Sequence, residues 1–196
     1  MKKGLIVLIV ILAIILIGGC QACNLQKSLV SLDEGVKAKW GEVENQYQRR
    51  SDLIGNLVNT VKGAAAHEQN TLTAVIEARA KATQIKVDPN DLSPEKIQQF
   101  QQAQGELSQA LGRLMVVSEA YPDLKVNQNF LALQDELTGT NNRIAFARKN
   151  YNESVQQYNI KVRTFPNNLI AGMLNFKEKG MFKAEAGAEK NPTVQF

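Results

Sequence analysis

The sequence predicts an all-α protein: an N-terminal apolar helix followed by a long-helix antiparallel bundle of three to four helices. Residues 29–86 contain no proline and carry apolar side chains at steps of three, four and seven, the periodicity of a helix with one buried face. Two later stretches repeat this pattern between proline-bearing turns, and no window alternates as a half-buried strand would. Turns that short make successive helices antiparallel.

The first element is Met1-Lys2-Lys3 followed by an apolar run from Leu5 to Ile17 that leads to Cys20, the order of charge then hydrocarbon found in export signals. Two readings stand. If retained, Gly4 to Cys20 is a signal anchor, a transmembrane helix whose rise of about 25 Å falls slightly short of a hydrocarbon core of about 30 Å and is accommodated by snorkelling lysines and local thinning. Lysines before the run and none directly after it place the N-terminus in the cytoplasm and the bundle outside. If cleaved, Ile17-Gly18-Gly19-Cys20 serves as a lipobox like that of bacterial lipoproteins, with Cys20 lipid-modified. The organisation is therefore an anchor over residues 1–23 (or a signal to 19), a bundle over 24–166 and a tail over 167–196.

The next element carries Val36, Trp40, Val43, Tyr47, Ile54, Val58 and Val61 on its stripe and continues through Leu72, Val75 and Arg79. Unbroken, it would be a rod of about 90 Å. Either it bends near Gly63 into two bundle members or part of it projects. KVDPNDLSPEK ends it, with Ser93 as N-cap and Pro94 as the first residue of a helix reaching about Ala120. Tyr121-Pro122-Asp123 turns the chain into a helix from about Val126 to Phe165, which Pro166 stops. The tail holds Leu169, Met173, Phe176 and Phe182, too apolar for a free linker, so it folds onto the bundle or meets a neighbour.

Composition narrows the function. Twenty-one basic residues oppose 19 acidic ones once Lys2 and Lys3 are set aside from the 23, with no basic stripe interleaved with aromatics, which argues against nucleic acid as a partner. A single histidine, His67, leaves no zinc cluster, and the C-x-x-C of Cys20 and Cys23 lacks a second ligand pair or a βαβ setting. No phosphate-binding glycine loop or nucleophile elbow is present. No cofactor, metal or catalytic residue is expected.

The stretch most like a motif is ENQYQRRSDLIGNLVNTVKG, Glu44 to Gly63. At 100° per residue Arg50, Glu68 and Arg79 fall on the apolar face, and Arg49, Asp52, Asn56 and His67 on the opposite one. An arginine among hydrophobes must snorkel or meet a carboxylate. Arg148 repeats the irregularity later, so a Glu68 to Arg148 contact across helices is one arrangement. Such residues set packing register, while Arg49, Asp52 and Asn56 offer a face to a partner.

KAKWGEVENQYQRRSDLIGNLVNTVKGAAAHE, EARAKAT, ELSQALGRLMVVSEAYPDLKVNQNFLALQDELTGTNNRIAFARKNYNESVQQYN, NLIAG and the final VQF resemble the LemA proteins of bacteria. Gly55 departs from the proline common there. GGCQACNLQKSLVSLDE departs too, which favours Cys20 as a lipid site. The resemblance implies one N-terminal membrane span, a long-helix bundle outside the cytoplasm and no known enzymatic activity; the neighbourhood of its genes points to a membrane peptidase or a TPM-domain protein as partner. Together with the long stripe and the leftover apolar tail, it leads to the expectation of a non-catalytic, membrane-anchored protein that forms a homo-oligomer. The alternative is an adaptor for a membrane peptidase or signalling protein.

Overall fold

The structure is a computed structural model that describes residues 2–64 and 68–184, with side chains apart from most of residues 2–20, Ala64 and Lys125. Its helices are α1 Lys2–Ala64, α2 Gln69–Gln84, α3 Pro94–Ser118, α4 Pro122–Lys125, α5 Gln128–Arg163 and α6 Asn167–Met173. There is no β-sheet, and no residue pairs in a β-ladder, among the described residues.

The long stripe breaks between Ala64 and Gln69, in the region of Gly63, and so supplies two bundle members. Gly55 lies inside α1, which continues through it. Ser93 has the extended backbone of an N-cap ahead of Pro94, yet its hydroxyl makes no cap hydrogen bond. Asn127 is the effective cap: its Oδ1 accepts from the N–H groups of Asn129 and Phe130 at 3.0 and 3.2 Å, which starts α5 at Gln128 rather than Val126. Thr164 is already extended, two residues ahead of Pro166, whose ring also disfavours helix at Phe165. Phe165 therefore leaves the stripe and is 74 % exposed.

The directions follow from cross-helix contacts. Trp40 meets Tyr151 with ring centroids 5.5 Å apart and Arg49 pairs with Glu136, so α1 and α5 are antiparallel. Trp40 also meets Phe100 at 5.3 Å and Arg50 reaches Gln104, so α1 and α3 run parallel. With α2 returning between them, the order is up, down, up, down.

The core has two parts. Ile54, Leu57, Val61, Val75, Leu107 and Leu114 form one, between α1, α2, α3 and α5. Trp40 centres the other, with Leu29, Phe100, Tyr151, Tyr158 and Phe182. At that level α2 has ended. Val87 and Leu92 of the loop after α2, and Phe176 and Phe182 of the tail, take its place. The tail thus folds back on the bundle as far as residue 184, and residues 185–196 lie outside the described residues.

Among the described residues no helix is long and apolar enough to cross a membrane. The expected span of residues 4–20 lies largely outside those whose side chains are described.

Trp40 is fully buried and touches three aromatic rings. Replacing it with alanine is expected to cost about 3–5 kcal/mol, seen as a lower urea midpoint; a loss below about 1 kcal/mol would show that the aromatic cluster is not central to stability.

Candidate functional site

The polar residues singled out in the sequence go to separate places. Arg50 is buried: its guanidinium donates to the side-chain amide oxygen of Gln104, to the Gln104 carbonyl at 3.4 Å and to the Ser108 hydroxyl at 3.3 Å. Its Cζ stands 4.9 Å from the Tyr47 ring centroid. An amide and a hydroxyl of α3 and a ring face of α1 receive it. Arg79, from α2, donates to the Ser51 carbonyl at 2.7 Å and lies 3.3 Å from where a Cβ on Gly55 would be.

Arg49 is exposed and bound to Glu136 of α5, so it ties helices together at the surface. Asp52 accepts from Gln48 at 3.0 Å, and Asn56 is exposed. The imagined Glu68 to Arg148 contact is not made. Glu68 accepts from the Tyr121 hydroxyl at 2.9 Å, at the α2 end of the bundle. Arg148 donates to the Lys183 carbonyl at 2.9 Å and lies 4.8 Å over the Phe182 ring. His67 is outside the described residues, as is the side chain of Cys20, whereas Cys23 is exposed.

A cleft of about 500 Å3 beside Arg50 is lined by Glu44, Ser51, Lys86 and Asp88. Burial pushes the Glu44 carboxyl above its ordinary value. Among the described residues no group of three His, Cys, Asp or Glu is placed to hold a metal ion.

The most organised constellation lies where residues 177–183 run along α5 and the start of α3. Asn159 donates to the Lys179 carbonyl and accepts from the Lys179 N–H, both at 2.9 Å. Asn152 does the same to Phe182, both at 2.9 Å, and Gln101 to Lys183 at 2.9 and 3.1 Å. Each side-chain amide thus holds both main-chain polar groups of one residue. Tyr158 and Tyr151 donate their hydroxyls to the carbonyls of Lys177 and Gly180 at 3.0 and 2.9 Å, and the Gly180 N–H bonds to the Leu92 carbonyl at 2.8 Å.

Two side chains enter pockets. Phe182 stacks on Trp40 at 6.1 Å and meets Tyr151 edge-on at 5.4 Å. The Lys179 ammonium, nearly buried, lies 2.8 Å from Asp33 and 5.2 Å from the Tyr158 ring centroid. Between them, Gly180 passes so close to α3 that a Cβ there would sit 2.6 Å from the Pro94 Cα.

Burial pushes the Asp33 carboxyl up, but hydrogen bonds and charge from Lys179 and Lys37 outweigh it and hold the group below its usual 3.8. Burial pushes the Tyr158 hydroxyl up to about 12, and burial raises Tyr151 as well.

Sequence reasoning missed this groove. Asn152 and Asn159 are one heptad apart on α5, and neither was singled out. The heptad spacing was visible, but their partners are backbone atoms, which leave no mark in a sequence.

The LemA family profile matches residues 39–196. The chain belongs to the LemA family. Other similarities agree with LemA membership. The chain is 27 % identical over 179 residues to magnetosome protein MamQ 1 of Paramagnetospirillum magneticum, covering 83 % of this chain and 66 % of that protein. It is 26 % identical over 172 residues to magnetosome protein MamQ of Magnetospirillum gryphiswaldense, with coverages of 79 % and 63 %. To protein LemA of Metamycoplasma hominis it is 26 % identical over 137 residues, with coverages of 70 % and 59 %. The chain therefore spans about two thirds or less of the length of these relatives. The matched region contains Trp40, Arg50, Asn152, Asn159 and Phe182 but not Asp33.

Trp40 is the single tryptophan, so its emission reports tail docking. Asp33, depressed when folded, contributes stability above its unfolded value near 3.8 that is lost as pH falls through the lower folded value. Tyr158, raised when folded, contributes stability below 10.0 that is lost as pH climbs towards about 12. Emission should therefore be flat through neutrality and shift red at both extremes; a single transition near pH 7 would contradict this assignment. Asn152→Ala strips both main-chain partners from Phe182 and is expected to weaken docking by about 1–3 kcal/mol, read as tail cleavage by protease at lower urea.

Proposed function

We infer that this LemA protein is a membrane-anchored, non-catalytic helical protein that self-associates at the cell envelope. The observation that carries the anchored part is the continuity of α1. The apolar run and the first bundle helix are one helix, Lys2–Ala64, and the described side chains Leu8, Ile9 and Leu12 on that run are 55–63 % exposed. Bare aliphatic side chains at that density call for lipid or another chain.

The other end of α5 supports the same placement. Antiparallel to α1, it finishes beside Leu25 and Leu29, and just beyond it Phe165, Leu169 and Met173 are 60–86 % exposed. These apolar groups follow the bundle at the end from which the apolar run leaves. Self-association is supported by the same uncovered surface and by Phe146 and Ile160 on the outer face of α5, 65 and 59 % exposed. The names of the MamQ relatives place them with the magnetosome, which accords with an assembly-forming role.

A second reading has its own observation. Asp52, Asn56, Asn59 and Ile76 line a groove of about 330 Å3 between α1 and α2, which suits an adaptor that presents this face to a membrane peptidase or a TPM-domain protein.

Full-length protein is expected to stay with membranes through an alkaline carbonate wash and, once in detergent, to form particles of more than one copy by light scattering. Release by the wash would overturn the anchored reading, and a strictly monomeric particle the self-associating one. Alanine at both Asp52 and Asn56 should leave particle size unchanged; loss of a co-purifying peptidase in that variant would move the conclusion to the adaptor.

A further inference from the structure

We propose that the groove along α5 is a peptide-receiving site whose ligand, the Lys-Gly-x-Phe strand of residues 177–183, is exchanged between copies, so that in the assembly each groove holds the strand of a second copy. This rests on the self-association reading and names its joint.

The site is built as a peptide receptor. Asn152, Asn159 and Gln101 each bind the N–H and the C=O of one strand residue, contacts that any extended chain presents. Selectivity comes from three positions. Lys179 is fixed by Asp33 and the Tyr158 ring, and Phe182 by Trp40, Tyr151 and the Arg148 guanidinium above it. Gly180 is required by the 2.6 Å approach to Pro94. Met181 points outward and is 38 % exposed, so that position is unread.

The connection to the strand is short and is held to the bundle by Ala171, Ile170 and Phe176. Between Arg163 and the strand lies α6, seven residues with Ala171 as its buried member. Asn175, two residues past the end of α6, has a φ of 60°, the left-handed turn that asparagine readily takes after a helix. Leu169 and Met173 stay 60 and 86 % exposed when the strand docks on its own bundle, so closure within one copy leaves apolar surface uncovered. A strand from a second copy makes every groove contact unchanged, and the rearrangement is confined to this connection. Copies anchored in one plane meet at high effective concentration.

The test uses two full-length variants in detergent, distinguishable by mass. One carries Asn152→Ala with Asn159→Ala, a defective groove with an intact strand. The other carries Phe182→Ala, a defective strand with an intact groove; Gly180→Ala replaces it if circular dichroism shows helix loss. Each alone should show red-shifted Trp40 emission and reduced oligomer. Their mixture should form mixed species by native mass spectrometry and recover part of the emission, because one intact strand meets one intact groove between copies. Helical variants that form no mixed species would overturn the proposal, as would mixing that persists when both chains carry Phe182→Ala. Wild-type-sized particles of the Phe182→Ala protein alone would overturn strand exchange while leaving self-association through another surface intact. A monomeric wild type would overturn both.

Discussion

The structure depends on one mismatch of lengths. The buried stripe of α1 extends from Leu25 to Val61, about 55 Å of helix, and α5 is the other element of comparable length. The shorter α2 and α3 cover the upper half. Below Trp40 the stripe would face water unless something else lay against it, and what lies there is an extended strand from the other end of the chain. An extended strand leaves its own main-chain groups unpaired, so burying it requires donors and acceptors from the helices. The amides at 101, 152 and 159 supply them, which couples the packing problem to the polar chemistry of the groove.

The same coupling explains the charges inside the bundle. Arg50 and Arg148 both interrupt apolar stripes, and each lays its guanidinium against a ring, that of Tyr47 or Phe182, while its N–H groups reach oxygens on another element. Lys179 is as deeply placed as Arg50, deeper than the half-buried Arg148, and meets a carboxylate, Asp33, that Lys37 also supports. Buried cations in such settings fix which element sits at which height more than they add to stability. Arg50 sets α3 against α1, and Arg148 and Lys179 set the tail against α5 and α1.

Much of the helical framework was legible because periodicity survives in a single sequence. The stripe from Val36 to Val75, the proline loop before α3 and the polar intrusion of Arg50 were all readable, and the break near Gly63 was one of two arrangements the sequence left open. Boundaries that depend on one local interaction were less so: Asn127 caps α5 where Val126 looked like its start, and Pro166 strips Phe165 of its helical place. The groove was not readable. Asn152 and Asn159 look like solvent-facing residues until the strand is placed beside them, and Lys179, Gly180 and Phe182 acquire distinct roles only through contact with Asp33, Pro94 and Trp40. Arg148 was noticed for the right irregularity and assigned the wrong neighbour, because its true partner is a main-chain carbonyl from a non-helical segment.

Because α1 is one helix from Lys2 to Ala64, it fixes a rotational phase as well as a position. The azimuth at which Leu25 and Leu29 meet α5 is locked to the azimuth of every residue in the apolar run. One residue added or removed between the two would turn the bundle by about 100° about the helix axis and move it by about 1.5 Å along it. The groove, the strand connection and the outer face of α5 would all then point in a different direction relative to that run. Spacing in this part of the chain therefore sets orientation as well as reach, and the segment from Cys20 to Leu25 acts as a dial for the whole molecule.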